Sequence, residues 1–213
     1  MKIGIIGCGH IGATLARLWV KAGHEVILSS DHPDKLKALA KELGPKASVA
    51  RPEDAAKEGK VILLSIPLGE IPHLSKNLKK HLQEKIVIDT CNPYPERDGD
   101  VADEALEDMN GSGHWTSQQL PGAIIVKGFN TVHAKVLEEE AHRKKDPIGI
   151  PLASDDKQAL QSVARLVKDA GFGPVIVGEL KTAKKFDVGT APYGCDGSVS
   201  KVEELLHVKT KTH

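Results

Sequence analysis

The chain has 213 residues, which is long enough for one large α/β domain with a substantial hydrophobic core. Lysine plus arginine number 29 and aspartate plus glutamate number 29, so no overall basic field is available to attract nucleic acid or an anionic membrane. Aromatic residues make up 3% of the chain, which leaves few rings for stacking on single-stranded nucleic acid.

The first elements in chain order are a predicted strand and a glycine-rich turn. The strand is Ile3-Gly4-Ile5-Ile6, and the turn is Gly7-Cys8-Gly9-His10-Ile11-Gly12. In this fingerprint the first glycine makes the turn, the second lets a diphosphate approach the backbone, and the third lets the next helix pack on the strand. Apolar residues at helical spacing predict that helix over residues 11–22, and a second strand follows over 25–29. The resulting βαβ unit predicts a dinucleotide site that includes His10 and Ile11.

Strands and helices continue to alternate along the chain. The remaining predicted helices span residues 33–43, 52–57, 71–82, 131–140 and 155–170, and the remaining strands span 47–50, 61–64, 86–89, 123–126, 148–153 and 174–177. This order predicts a Rossmann-like, doubly wound and mainly parallel α/β sheet with helices on both faces. We assign residues 1–180 to this NAD(P)-binding domain and residues 181–213 to a C-terminal extension continuous with it, frayed from Val208 onward.

Residues 92–119 break the alternation, because prolines and glycines punctuate a polar, acidic stretch. The stretch follows the carboxyl end of a predicted parallel strand, where open α/β sheets bind their ligands. We therefore expect a loop that forms a wall or lid of the site, with Trp115 either covering a bound ring or packing the lid down. A surface insertion without a function is the alternative.

Small polar residues follow three consecutive predicted central strands. They are Ser65 with Ile66 and Pro67, Asn92 with Pro93, and Asn130 with Thr131. Because the carboxyl ends of parallel strands meet at one edge of a sheet, we expect an arc of these groups around one cleft, which would hold a nicotinamide and its redox acceptor. An ordinary strand-to-helix turn is the alternative for the first group.

Several stretches of the chain together resemble one known family. They are Ile5-Ile6-Gly7-Cys8-Gly9-His10-Ile11-Gly12, Asp89-Thr90-Cys91-Asn92-Pro93-Tyr94-Pro95, Leu120-Pro121-Gly122, Val126-Lys127-Gly128-Phe129-Asn130-Thr131-Val132, Gly178-Glu179-Leu180 and Gly189-Thr190-Ala191-Pro192-Tyr193. In these stretches the chain resembles the coenzyme F420-dependent NADP oxidoreductases, which are related to the cytosolic domain of the STEAP metalloreductases. The resemblance implies hydride transfer between NADP(H) and a planar acceptor, either the deazaflavin F420 or a flavin.

Other functions stay open beside this one. The chain could be an NADPH-dependent ferric or flavin reductase that does not use F420, or a non-catalytic dinucleotide-binding redox sensor. In each case the expected partner is a small molecule, with no nucleic acid and no membrane, and we predict no metal site. Val202, Leu205 and Leu206 lie at helical spacing and suggest a homodimer across a two-fold axis.

The preference between NADP and NAD depends on the end of the second strand. The family usually has a small polar residue there, followed by an arginine that pairs with the 2′-phosphate. This chain has Ser29-Ser30-Asp31-His32-Pro33-Asp34-Lys35. Asp31 stands where the arginine is expected, and a carboxylate there favours the free 2′-hydroxyl of NAD. The resemblance favours NADP, provided that Asp31 turns outward and His32 or Lys35 supplies the positive charge.

One histidine and one cysteine near the expected cleft have candidate roles. His133 follows Asn130 by three residues, so it is our candidate catalytic residue for donating a proton or hydrogen bond to the acceptor, with a capping role as the alternative. Cys8, inside the glycine turn, is expected to be a spacer rather than a nucleophile. Because the three cysteines are scattered and no apolar run reaches membrane-spanning length, we expect a reduced, cytoplasmic protein.

Overall fold

The computed structural model describes residues 1–209 and arranges them around one eight-stranded sheet. The strands are β1 (Lys2–Ile6), β2 (Glu25–Ser29), β3 (Ala47–Ala50), β4 (Val61–Leu64), β5 (Ile86–Asp89), β6 (Ile124–Lys127), β7 (Gly149–Ala153) and β8 (Gly173–Gly178). Their order across the sheet is β3-β2-β1-β4-β5-β6-β7-β8. The first six strands are parallel, so the predicted Rossmann-like, mainly parallel sheet is confirmed.

The direction of chain progress across the sheet reverses beside β1. The chain moves from β1 to β2 and β3 on one side, then returns to place β4, β5 and β6 on the other side. Ile5 of β1 is therefore paired with Leu28 of β2 and with Leu63 of β4. Such a switch point opens a crevice at the carboxyl ends of the two central strands, which is where open α/β sheets bind ligands.

Ten α-helices are formed within the described residues. They are α1 (His10–Lys21), α2 (Lys37–Leu43), α3 (Pro52–Glu58), α4 (Ile71–Leu78), α5 (Pro95–Asp98), α6 (Asp100–Glu107), α7 (Ser112–Gln119), α8 (Ala134–Glu139), α9 (Lys157–Asp169) and α10 (Val199–Leu206). Short 3-10 helices occur at Pro33–Leu36, Gly44–Lys46, Leu68–Glu70, Lys79–His81 and Leu180–Phe186. The predicted helices over 33–43 and 71–82 are thus each part 3-10 and part α.

The sheet has a hydrophobic core on each face, because successive residues of its buried strands point to opposite sides. Leu63 packs into one core, whereas Ile62 and Leu64 pack into the other. Trp19 of α1 is fully buried in the first core, and its indole N–H donates to the carbonyl oxygen of Leu166 at 2.9 Å. These contacts fix α1, and with it the glycine turn, against the sheet.

The last two strands run in the opposite direction to the first six. β7 is antiparallel to β6, with Lys127 opposite Ala153, and β8 is parallel to β7. A period-two or continuous apolar pattern indicates that a segment is a strand but not which way the strand runs. The reversed direction of β7 and β8 therefore could not be predicted from the sequence.

The predicted loop over residues 92–119 is mostly helical, so that part of the prediction is wrong. The segment forms α5, α6 and α7, and the last two begin next to Gly99 and Gly111, two glycines with φ of 56° and 87°. Trp115 of α7 is only 4% exposed and packs in the second core. The indole therefore packs this segment down instead of covering a bound ring.

A second difference concerns the helix predicted over residues 131–140. Helix α8 begins only at Ala134, and His133 is its N-cap residue with extended backbone. Thr131 is buried ahead of the helix. The His133 ring consequently lies at the entrance of α8 and not on its first turn.

Residues of the predicted C-terminal extension pack on the end of the sheet that holds β7 and β8. Val202 and Leu206 of α10 are buried there with Val175 of β8. These two side chains contribute to the chain's own core, and the homodimer stays a prediction. Residues 210–213, part of both the predicted extension and the predicted frayed tail, lie outside the described residues. Between residues 1 and 209, no helix has the length and apolar character needed to cross a membrane.

Candidate functional site

The glycine turn after β1 has a different constraint at each of its three glycines. Gly7 has a φ of 94°, and a β-carbon on it would lie 2.1 Å from the Ser65 carbonyl oxygen. A β-carbon on Gly12 would lie 2.0 Å from the Gly7 carbonyl oxygen. Gly9 differs, because a β-carbon there would meet no atom within 4 Å. Gly7 and Gly12 are therefore required by the fold, whereas Gly9 leaves open space at the surface of the turn.

Helix α1 begins at this open space. Gly9 is its N-cap residue, no side chain caps the first turn, and no acidic residue lies within that turn. The unpaired N–H groups and the positive end of the helix dipole therefore face outward beside Gly9. This combination is typical of a phosphate-binding helix N-terminus.

A first cavity, which we call the β2 cavity, lies on one side of the glycine turn. Its volume is about 450 Å³. It is lined by Ile6, Gly7, Cys8, Gly9, Ser29, Ser30, Asp31, Lys35, Leu36, Pro52, Ile66 and Leu74. The end of β2 thus forms one wall of this cavity, as the fingerprint predicts for a ribose-binding strand end.

A second cavity, the β5 cavity, lies on the other side of the turn. Its volume is about 340 Å³. It is lined by Gly9, His10, Ile11, Ser65, Ile66, Pro67, Thr90, Cys91, Asn92, Tyr94, Arg97 and Ala134. Gly9 and Ile66 line both cavities, so the two form one cleft that passes over the N-terminus of α1.

Most of the predicted site residues line this cleft, and a few do not. Those outside its lining are Gly12, His32, Pro93, Asn130, Thr131 and His133. Gly12 packs under the turn, and Pro93 is buried. The exposed His32 donates its backbone N–H to the Ser30 hydroxyl at 3.1 Å. The exposed His133 ring lies edge-on to Tyr193, with 6.5 Å between the ring centroids.

Two members of the predicted arc of small polar groups, Asn92 and Asn130, are hydrogen-bonded to each other. The Asn92 side-chain N–H donates to the Asn130 carbonyl oxygen at 2.9 Å. The Asn130 side-chain N–H donates to Asn92 Oδ1 at 3.3 Å and to the Phe186 carbonyl oxygen at 3.2 Å. The two amides therefore join the ends of β5 and β6. Ser65 differs, because among the described residues its hydroxyl has no hydrogen-bond partner.

The end of β2 provides one free positive charge to the β2 cavity. Ser29 is fully buried, and its hydroxyl donates to the Ile5 carbonyl oxygen at 2.7 Å. Asp31 and Lys35 are both exposed and both line the cavity. Within residues 1–209, Lys35 has no ion-pair partner. Of the two residues proposed to supply the positive charge of the expected arginine, Lys35 lines the cavity and His32 does not.

Sequence reasoning did not assign Thr90, Tyr94, Arg97 or Ala134 to the site. Tyr94 belongs to the Asn-Pro-Tyr-Pro stretch, so its position next to Asn92 was a usable signal. The Arg97 guanidinium lies 4.8 Å from the centroid of the Tyr94 ring. Its Nη2 donates to the Asn92 carbonyl oxygen at 2.9 Å, and Asp98 accepts from both Nε and Nη2. These contacts hold Arg97 at the rim of the β5 cavity.

The Tyr94 hydroxyl is hydrogen-bonded to the hydroxyl of Tyr193. Burial raises the pKa of Tyr193, and the hydrogen bond with Tyr94 raises it further. Tyr193 therefore stays protonated at neutral pH. The pair connects the wall of the β5 cavity to the residues around His133.

The thiols near the cleft are protonated at neutral pH. Burial raises the pKa of Cys8 to about 11, and a backbone hydrogen bond with Ser29 offsets part of that rise. Burial also raises the pKa of Cys91 well above its usual value, and the carboxylate of Asp89 adds to the rise. A neutral thiol is a poor nucleophile, which agrees with a spacer role for Cys8. Among the residues the structure describes, no cluster of three potential ligands could hold a metal ion.

The doubly wound sheet, the glycine turn and the bipartite cleft define a protein of the Rossmann-like dinucleotide-fold class. Residues 2–93 match the family described as NADP oxidoreductase, coenzyme F420-dependent. An F420-dependent NADP reductase of Methanocaldococcus jannaschii is 32% identical over 150 residues, covering 65% of this chain and 67% of that protein. The chain belongs to this family of NADP-dependent oxidoreductases.

Further similarities extend over most of the chain. The metalloreductase STEAP3 of Rattus norvegicus is 25% identical over 186 residues, which cover 87% of this chain. The chain spans only 36% of that relative's length. Among solved structures, a hypothetical protein from Sinorhizobium meliloti is 25% identical with a TM-score of 0.79, covering 93% of this chain and 95% of that one.

Proposed function

We propose that the chain transfers a hydride between the nicotinamide of NADP(H) and a planar acceptor, either a deazaflavin such as F420 or a flavin. The proposal is supported by membership of the family and by the similarity to a named F420-dependent NADP reductase over two thirds of that protein. It is also supported by the shape of the cleft, which offers two separate cavities to the two halves of a dinucleotide.

The observation that carries the proposal is the junction of the two cavities at Gly9. The diphosphate would lie over Gly9, where the open space and the free N–H groups of α1 suit an anion. The adenosine half would then enter the β2 cavity and the nicotinamide half the β5 cavity. Gly7 and Gly12 fix the backbone that makes this approach possible.

NADP is the proposed cofactor because Lys35 supplies a cation to the β2 cavity. An ammonium that is not engaged in an ion pair can neutralise part of a 2′-phosphate. Asp31 lines the same cavity and repels a phosphate. We therefore expect the preference for NADP over NAD to be smaller than in a relative with arginine at this position.

NADPH would donate the hydride and NADP+ would accept it in the reverse direction, and the residues of the chain position the reacting groups. Ile11, Pro67 and Ala134 give the β5 cavity apolar walls that exclude water from a bound ring. The Ser65 hydroxyl and the guanidinium of Arg97 are polar groups on the same walls. Hydride transfer between stacked rings depends chiefly on such positioning.

We keep His133 as the proposed source of a proton or hydrogen bond for the acceptor. Its ring is outside the lining of the β5 cavity, but it touches Tyr193, whose hydroxyl is bonded to that of the cavity residue Tyr94. Any effect of His133 on the β5 cavity would then pass through its ring contact with Tyr193 and the hydrogen bond between the two tyrosine hydroxyls.

Two other functions are tested by the same assay. The similarity to a metalloreductase favours an NADPH-dependent ferric or flavin reductase that does not use F420, although the chain spans only 36% of that relative. A non-catalytic redox sensor would use the same cleft for binding only. Purified protein is mixed with NADPH and, separately, with F420, FMN or a ferric chelate, and nicotinamide absorbance is followed. Oxidation with F420 supports the proposal, and oxidation with FMN is expected of both the proposal and the first alternative. Oxidation with the chelate alone supports the first alternative, and tight binding without oxidation supports the sensor.

A further inference from the structure

A completely buried ion pair lies beneath the β5 cavity. Lys127 at the end of β6 and Asp89 at the end of β5 are both 0% exposed, and Lys127 Nζ lies 3.0 Å from Asp89 Oδ2. Burying two charges is costly, and apolar residues of similar volume often stabilise a core as well or better. The fold alone therefore gives little reason for this pair to occupy the core.

The pair holds both backbone polar groups of a single residue, Cys91. Asp89 Oδ1 accepts the backbone N–H of Cys91 at 2.8 Å, and Lys127 Nζ donates to the Cys91 carbonyl oxygen at 2.5 Å. Cys91 lines the β5 cavity together with its neighbours Thr90 and Asn92. The ion pair thus fixes the turn that forms one wall of that cavity. We call these two side chains, together with the backbone N–H and carbonyl groups of Cys91, the Cys91 clamp.

The carboxylates of Asp89 and Asp187 keep the lysine ionised. Burial lowers the pKa of Lys127, but the carboxylates of Asp89 and Asp187 more than offset it and raise that pKa overall. Asp187 itself accepts from the backbone N–H of Ser112 at 2.9 Å and from its hydroxyl at 2.6 Å. The clamp is therefore linked to the start of α7, and Lys127 remains protonated through the neutral range.

We propose that Lys127 is a positioning residue. Through the Cys91 clamp it fixes one wall of the β5 cavity, and the acceptor and nicotinamide are aligned against that wall. This inference rests on the proposed function for its kinetic consequence. The lysine does not line the cavity and acts only through the backbone of Cys91. A displacement of that wall by a fraction of an ångström would misalign the two rings, and misplacement by about 1 Å can cost about a hundredfold in rate.

The chain provides a matched control in Lys85, which precedes the opposite end of β5. Its Nζ also donates to backbone carbonyl oxygens, those of Ala56, Lys57 and Gly59, at 2.5, 2.5 and 2.8 Å. Lys85 lines neither cavity. Lys85→Met and Lys127→Met therefore each remove a lysine that fixes backbone carbonyls, but only the second removes one beside the cleft.

Two variants separate positioning from folding. Lys127→Met leaves Asp89 buried without its partner, so the fold can be weakened. Asp89→Asn/Lys127→Met removes both charges and keeps an amide oxygen that can accept the Cys91 N–H, so it should fold where the single variant does not. All variants are compared at a temperature at which circular dichroism shows each to be folded.

The kinetic measurement uses saturating NADPH and whichever acceptor supports NADPH oxidation in the assay described under the proposed function. We expect kcat/KM for the acceptor to fall by about tenfold to a hundredfold in the Lys127→Met and double variants. Affinity for 2′,5′-ADP, which lacks the nicotinamide half, should stay within about twofold. Lys85→Met should keep kcat/KM within about twofold. A folded Lys127→Met or double variant with unchanged kcat/KM, or an equal loss in Lys85→Met, would overturn the proposal.

A second readout does not depend on activity. Peptide mass spectrometry measures the fraction of Cys91 alkylated by iodoacetamide, which is low while the clamp keeps this thiol buried. We expect Cys91 to become several times more reactive in Lys127→Met but not in Lys85→Met. If none of the tested acceptors supports NADPH oxidation by the wild-type protein, the proposed function fails, but the alkylation of Cys91 still tests the clamp. Unchanged Cys91 protection in Lys127→Met would refute the clamp whatever the activity.

Discussion

Replacing Gly9 by alanine should abolish most NADPH binding while leaving the fold intact. Gly9 has φ −69° and ψ −163°, which alanine adopts freely, and the new β-carbon would meet no atom within 4 Å. Loss of glycine's freedom in the unfolded chain should even raise the free energy of unfolding by about 0.4–1 kcal/mol. The methyl group would instead occupy the space that the diphosphate needs. Losing one charge-assisted hydrogen bond costs about 1.5–3 kcal/mol, which corresponds to about a tenfold to hundredfold weaker Kd.

Thermal unfolding with and without NADPH measures both effects in one experiment. At a ligand concentration about a hundred times Kd, wild-type protein should gain about 2.7 kcal/mol of stability. A variant whose Kd is weakened about a hundredfold should gain only about 0.4 kcal/mol at that concentration. The control is Gly12→Ala, whose β-carbon would lie 2.0 Å from the Gly7 carbonyl oxygen. It should lose about 1–3 kcal/mol even without ligand, because the overlap is with backbone. A Gly9→Ala protein that gains as much from NADPH as wild type does would refute this reasoning.

Three further predictions concern the walls of the cleft. Lys35→Ala should weaken NADPH binding by about threefold to tenfold and NADH binding less, and Asp31→Asn should strengthen NADPH binding by a similar factor. Both effects are measured by titration with each cofactor. Equal effects on both cofactors would place the 2′-phosphate elsewhere. His133→Asn should lower turnover without changing NADPH affinity, and Tyr94→Phe should lower it at least as much, whereas a loss in His133→Asn alone would contradict a path through the tyrosines. Because the pKa of Cys8 is raised to about 11, its alkylation rate should rise about tenfold per pH unit up to about pH 10; a plateau near the ordinary thiol pKa would contradict its burial.

The glycine turn could be predicted because its constraints are local. Three glycines after an apolar strand satisfy a positive φ at Gly7, a close approach at Gly12 and open space at Gly9. The continuous apolar run Val61–Leu64 is likewise the buried central strand that it was predicted to be. In each case the residues that form the sequence pattern are the same residues whose backbone geometry or burial requires it.

The segment over residues 92–119 could not be predicted in the same way. Its helices α5, α6 and α7 are four to eight residues long, which is too short for a clear helical period. Two of them begin at glycines with positive φ instead of at a serine or aspartate cap. The prolines and glycines of this segment, which are typical of loops, separate short helices here.

The Cys91 clamp was invisible for a different reason. Lys127 and Asp89 are 38 residues apart, and a charged residue at the end of a strand ordinarily points to solvent. Their burial follows from the pairing of β5 with β6, which places Asp89 opposite Lys127. The side-chain contact is thus a product of the sheet register and has no local pattern in the sequence.

The most direct test of the cleft is the electron density of crystals grown with excess NADPH. Our account predicts density for a diphosphate over Gly9, an adenosine beside Asp31 and Lys35, and a nicotinamide beside Ser65 and Pro67. A cofactor bound away from Gly9, or a cleft closed by side chains in the presence of saturating NADPH, would contradict the account.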